Sequence, residues 1–374
     1  MENVNMDLIS NGNAVGEVAA RISSMGRLDP GYMRPFIGDD GRTYITTCKG
    51  DPKVPSNYVA IPINTNGTLR RDEWKQLDEV LVRFKDYRLG GIEDLRANGL
   101  IYNLGNAMGT TVMEWHDVSD VNLVPELTMD AVTRAKGDRP VYKYHYMPIP
   151  ILHVDYEINA RELATSRNMG NPLDTTLAER AVRRINERLE DMLFTTTGFS
   201  YGEKDSSNQN SIYSYVNHPD RNLLDLGTSW TDSGVTTKEI VDQVISWKQE
   251  GINNRFFGPW QFYIPTAYET KMDEDYVGST PDTAPNTTLR DRLMKIAGIK
   301  GFKVIDTLAA DTILMVQLTP DVVRLVNGMG LTNIEWGVEG NFITKFKVLT
   351  IQVPQIRSDA EGRCGVFHIN IGGK

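Results

Sequence analysis

One stretch limits the fold more than any other. Over residues 173–196, Leu177, Ala181, Ile185, Leu189 and Leu193 recur every four residues, and Ala178, Val182 and Met192 widen the stripe. Glu179, Arg180, Arg183, Arg184, Glu187, Arg188 and Glu190 occupy the other faces. This spacing lays apolar side chains along one side of an α-helix and leaves the rest to water. Thr176 followed by Glu179 has the spacing of a capping box, and Gly198 lies just past the end. At about 1.5 Å per residue such a helix is roughly 30–35 Å long, enough to run the length of a domain. The pattern places Ile185 in that domain's core and Arg184 on its polar side.

The segments around this helix divide into those that can build a core and those that cannot. Residues 69–89 read as a second helix, with Asp72 able to cap it, Trp74, Leu77, Val80, Leu81 and Phe84 as its stripe, and Gly90-Gly91 as its end. Residues 110–122 are Thr/Val-rich and extended, and 141–158 alternate through Val141, Tyr142, Tyr144, Tyr146, Ile149, Ile151, Val154 and Tyr156. Between them lies a polar stretch with Arg134, Lys136 and Arg139 at its tip. Two extended runs joined by a charged bend describe a long hairpin, with Pro148 and Pro150 fitting an edge or a kink. So polar a hairpin has little core of its own and must pack on something outside itself.

Residues 1 to about 60 are punctuated by Gly, Asn and Pro, which resist long helices and sheets. They read as an arm, with a short helix near residues 16–25. Residues 199–234 are turn-rich. From 236 to 335 helices and strands alternate: a helix over 237–250 with Ile240, Val241, Val244 and Ile245, a strand at 260–264, a helix over 288–297 capped by Thr287 or Thr288, and strands at 302–306 and 312–318. This describes a second unit, and the chain is of α+β class. Alternating apolar strands at 342–353 and 364–371 are expected to return to the first unit.

A length of 374 residues suggests two or three domains. The net charge of −9, from 40 basic and 49 acidic residues, argues against a protein that grips nucleic acid, because such grip comes from Lys and Arg on phosphates. No apolar run approaches the roughly 18 residues of a membrane helix, so no membrane partner is expected. The acidic start, Glu2 to Asp7, lacks the pattern of a secretory leader and points to the cytoplasm as the place of synthesis. Cys48 and Cys364 alone make neither a disulfide scaffold nor a zinc site.

No motif of a nucleophile elbow, a phosphate loop or a dinucleotide fingerprint occurs. His116 beside Asp117 and His153 near Asp155 could be drawn as metal or acid/base pairs, but read as polar residues on half-exposed strands. Asp273-Glu274-Asp275 with Asp282 lacks the ligand spacing of a calcium loop and reads as solvated. The arginines of residues 173–196 are interleaved with glutamates, which favours ion pairs over phosphate contacts. No active site emerges. The chain is expected to be no enzyme and to hold no cofactor or metal.

The segment Pro148-Ile-Pro-Ile-Leu-His-Val-Asp-Tyr-Glu-Ile-Asn-Ala-Arg-Glu-Leu163, then Pro172-Leu-Asp-Thr and the long helix through Glu190-Asp-Met-Leu-Phe194, resembles a known family. It is similar to the encapsulin/linocin-like branch of tailed-phage major capsid proteins of the Hong Kong ninety-seven fold. The helix around Asp72-Glu-Trp-Lys-Gln-Leu-Asp78 resembles that family's first helix, and Phe346 to Pro354 with Gly365 to His368 its closing strands. The similarity runs over about residues 70–374 and lies in the order of elements more than in any motif.

The resemblance implies an N-arm at 1–60, a first part of the peripheral (P) domain at 61–109 and an E-loop at 110–147. It implies a P-domain segment with the spine helix at 148–198, an axial (A) domain at 199–335 and closing P-domain strands at 336–374. It implies self-assembly through hexamers and pentamers into an icosahedral shell around double-stranded DNA that is held without sequence-specific binding, with portal, scaffolding and decoration proteins as partners. Arg134, Lys136 and Arg139 would then sit at a hairpin tip that orders on a neighbour. An encapsulin-type cargo shell is the alternative. The Gly/Pro-punctuated arm favours the phage, because encapsulins begin almost at the first helix. A rival of another class, an α+β enzyme or solute-binding protein, would need a pocket of convergent polar groups.

Overall fold

The computed structural model describes residues 35–48, 57–62, 69–85, 90–119, 139–169, 175–202, 210–276, 287–339 and 343–372. The short helix expected near residues 16–25, and Arg134, Lys136 and Asp282, lie outside them. Part of the expected arm is regular: β1 (Pro35–Ile37), β2 (Thr43–Cys48) and β3 (Tyr58–Pro62) form an antiparallel sheet in that order. It rests on its own chain. The Trp74 indole donates to Pro35 O at 3.0 Å, and Ile37 N–H donates to Leu69 O at 3.0 Å.

Helix α1 (Arg71–Lys85) buries Trp74 and Leu77. Its start is held by Glu73, which accepts from Arg70 N–H at 2.7 Å, so Asp72 lies in the first turn instead of capping. Gly90-Gly91 does not end this helix but opens the next, α2 (Gly90–Ala97). The reason is steric. A β-carbon at Gly91 would stand 2.6 Å from the Phe194 ring, so only glycine lets the two helices approach this closely. Strand β4 (Ile101–Asn103) follows, then the hairpin of β5 (Val112–Val118) and β6 (Tyr142–Pro148), and β7 (Leu152–Asn159) leading into α3 (Ala160–Met169).

The long helix is α4 (Thr176–Phe194). Ala181, Ile185, Leu189 and Leu193 are buried as the four-residue spacing requires, with Ala178, Val182 and Met192 beside them. Leu177, in the first turn, is 45% exposed. The expected capping box at Thr176 is absent: Thr175 is the N-cap, and its hydroxyl meets Glu179 at 3.3 Å. Glu190, expected on the polar face, is buried.

Short strands β8 (Ser200–Tyr201), β9 (Asn210–Ser211) and β10 (Asn222–Asp225) cross the turn-rich region. Helix α5 (Thr237–Asn253) has a full capping box between Thr236 and Glu239 and buries Ile240, Val241 and Val244, while Ile245 faces water. Strand β11 (Trp260–Pro265) is wholly buried. After α6 (Glu269–Met272), α7 (Leu289–Met294) is capped by Thr288 and is shorter than expected. Strands β12 (Ile299–Ile305), β13 (Thr312–Gln317), β14 (Val323–Glu339), β15 (Ile343–Ile356) and β16 (Val366–Asn370) complete the chain.

Two sheets carry the body. One has the order β4-β14-β15-β7 and the other β10-β16-β13-β11-β12. α4 packs with α2 and the first sheet around one core that includes Ile185, Leu189, Val348 and Val353. α5 and α7 pack on the second sheet around Trp230, Trp260, Phe262 and Phe367. Two expectations differ from this topology. The boundary drawn at 335/336 falls inside β14, whose whole length pairs with β15. Residues 366–370 join the second sheet, between β10 and β13, instead of returning to the first. The run from Val366 to Asn370 has the two-residue period of a strand, but that period names no neighbour, so the sequence does not say which sheet it joins.

Candidate functional site: an assembly surface on the hairpin

β5 and β6 pair in register, with Val112 opposite Pro148, Trp115 opposite His145 and Val118 opposite Tyr142. Successive side chains point to opposite faces, so the register sorts the hairpin into two. The inner face carries Met113, Trp115, Asp117, His145 and Met147; the outer carries Glu114, His116, Val118, Tyr142, Tyr144 and Tyr146.

The inner face docks on the chain's own body. Met113 and Met147 are buried in the first core. Asp117 is 8% exposed and holds the root in place. Its carboxylate lies 2.9 Å from His145 Nε2 on the facing strand and 3.5 Å from Arg357, just beyond β15. Trp115 stacks on His145 with ring centres 5.4 Å apart. A cavity of about 360 Å3 lies beside this contact, lined among others by His218, Asp220 and Ser358. Burial pushes His218 down to about 4, and burial with the nearby Arg221 does the same for His368. Both imidazoles are therefore neutral at ordinary pH and supply no charge. The buried Cys364 thiol is raised to about 12 by desolvation, which keeps it unreactive.

The outer face is different. Tyr142, Tyr144 and Tyr146 are 52%, 59% and 48% exposed, and Val118 and Val141 beside them 48% and 66%. His116 packs edge-on to Tyr142 but covers little of the row. Large apolar side chains in a contiguous exposed strip mark a contact surface, and tyrosine suits one because its ring is apolar and its hydroxyl finds partners at the rim.

Of the five residues singled out from sequence, the three that are described, Arg139, Arg184 and Ile185, lie in different places. Arg139 is exposed where the chain enters β6. Arg184 lies exposed on α4 and pairs with Glu187 at 2.9 Å, as does Arg183 at 2.8 Å. Ile185 is 1% exposed and belongs to the core. Asp117 does not act with its neighbour His116 but with His145, a pairing that only the strand register sets. His153 and Asp155 stand 3.6 Å apart on an exposed strand, with Lys347 also on Asp155. Among the described residues no cluster of three or more metal-ligating side chains occurs, and no helix is long and apolar enough to cross a membrane.

A hairpin docked by one face only, a long helix laid on a sheet, and a second α+β unit with its own core together make the Hong Kong ninety-seven-type capsid fold. Solved structures similar to this chain include two particle shells. The virus-like particle of Pyrococcus furiosus is 17% identical, with 79% of this chain and 99% of that chain covered and a TM-score of 0.52. The capsid of Myoviridae phage XM1 is 10% identical, with 74% and 90% covered and a TM-score of 0.54. The chain itself belongs to DUF6260, a family of unknown function, whose profile matches residues 64–369. No curated protein is similar to it in sequence.

Proposed function

We propose that the chain is the major shell protein of a tailed phage, assembling with copies of itself through hexamers and pentamers around double-stranded DNA. The observation that carries this reading is the hairpin's outer face, an exposed tyrosine row on a fold shared with a phage capsid and a virus-like particle. Each subunit then completes its neighbour's hairpin, and many modest contacts add up over a closed shell. In this reading residues 1–60 form the N-arm, 110–147 the E-loop, 148–198 the spine-helix part of the P domain and 199–335 most of the A domain, with residues 366–370 completing the A-domain sheet. The acidic net charge suits a wall that must let DNA leave. Portal, scaffolding and decoration proteins are the further partners, assembly takes place in the host cytoplasm, and no catalytic step is involved.

A cargo compartment is the second reading, favoured by the 99% coverage of the Pyrococcus particle's chain. Particles purified from their native source separate the two. Nuclease-protected double-stranded DNA inside supports the phage head; a protein cargo without DNA supports the compartment.

A further inference from the structure

The buried carboxyl of Glu190 has no part in the hairpin surface, yet it sits where the two sheet units meet. It projects from α4 onto the first turn of α2. There Gly91 N–H donates to Oε1 at 2.9 Å and Ile92 N–H lies 3.4 Å from Oε2. The same turn is tied to the second sheet. Asp94 is buried and accepts from the Tyr263 hydroxyl of β11 at 3.0 Å. Lys303 of β12 lies 2.8 Å from Asp94 and 3.3 Å from Glu93. Helix α2 is thus a wedge held by Glu190 on one side and by Lys303 and Tyr263 on the other.

We propose that protonation of Glu190 sets how tightly this joint is closed, so that the joint between α4 and the second sheet loosens as pH rises. The charges around the carboxyl fit this role. From α2, Glu93 and Asp94 add negative charge. From β12 comes Lys303, engaged by those two carboxylates. On α4, Arg183 is paired with Glu187, and Asp191 is acidic. Asp306 after β12 and Glu269 of α6 line the same cavity of about 670 Å3. The buried Tyr215 and Tyr263 hydroxyls offer no positive charge. Desolvation, opposed by the two backbone N–H groups, raises Glu190 from 4.5 to about 7. A carboxyl raised in the closed joint favours closure below its free value, and that advantage is lost as pH rises to the raised one. The window runs from about 4.5 to about 7. His218 and His368 act on overall stability in the opposite sense, because each is depressed from 6.5 to about 4 by burial and is lost to acid.

Amide hydrogen exchange on the full-length wild-type chain tests the proposal, with intrinsic rates corrected at each pH. Protection of the Gly91–Leu95 amides is expected to fall about tenfold per pH unit between pH 5 and 7 and to level off above, while amides of α5 keep theirs. Glu190→Gln, which keeps an acceptor for Gly91 and cannot ionise, should make the α2 profile flat. Wild-type protection at α2 that tracks α5 across this range overturns the proposal, as does a Gln variant with the wild-type slope. If that variant fails to fold, the wild-type profile alone decides.

Discussion

Helix α4 and the hairpin β5–β6 are both amphipathic, but they are completed by different things. α4 lays Ala181, Ile185, Leu189 and Leu193 into a core that its own chain provides. The hairpin commits only one face to its own body, through Met113, Asp117 and Met147, and leaves Tyr142, Tyr144 and Tyr146 in water. The difference shows that one chain can encode both a self-sufficient body and an element with one apolar face left uncovered. Which of the two a segment belongs to is set by whether its apolar face finds a partner within the chain.

Substitutions sharpen this contrast. The largest effect is expected on α4. Ile185→Asp puts an unpaired carboxylate in the core, at a cost on the order of 4–5 kcal/mol, and should give insoluble or unfolded protein; soluble, cooperatively melting protein would remove α4 from the core. At the hairpin root the effect is smaller. Asp117→Ala leaves His145 and Arg357 facing no carboxylate, which should cost about 1–3 kcal/mol. Circular dichroism melts would show the loss in free subunits, and an unchanged midpoint would mean that the root is not held by this contact. The smallest effect belongs to the exposed side of α4: Arg184→Ala should change stability by less than about 0.5 kcal/mol, because Glu187 keeps Arg183. If it destabilises as Ile185→Asp does, the helix register is wrong.

What could be read from the sequence follows the same division. The α4 stripe and the alternation of Tyr142, Tyr144 and Tyr146 were legible, because each depends only on local period. Glu190 was not: its side chain is chemically like those of Glu179 and Glu187, and what buries it is a pair of backbone amides at Gly91 and Ile92, almost 100 residues away. Gly90-Gly91 read as a helix end for the same reason, since its purpose is the approach of Phe194. The sheet joined by residues 366–370 was hidden because a two-residue period marks a strand without naming its neighbours, here β10 and β13. Asp117 adjoins His116 in sequence, but its working partner His145 is set by the strand register.

Sedimentation of the full-length chain, wild type against the triple variant Tyr142→Ser, Tyr144→Ser, Tyr146→Ser, puts the hairpin's role in assembly to the test. Megadalton closed shells are expected from the wild type, made alone or with a scaffolding protein. The triple variant should give folded subunits, with an unchanged circular dichroism melt, that no longer assemble. A wild type that stays a compact monomer under every condition, or a triple variant that forms normal shells, would contradict it.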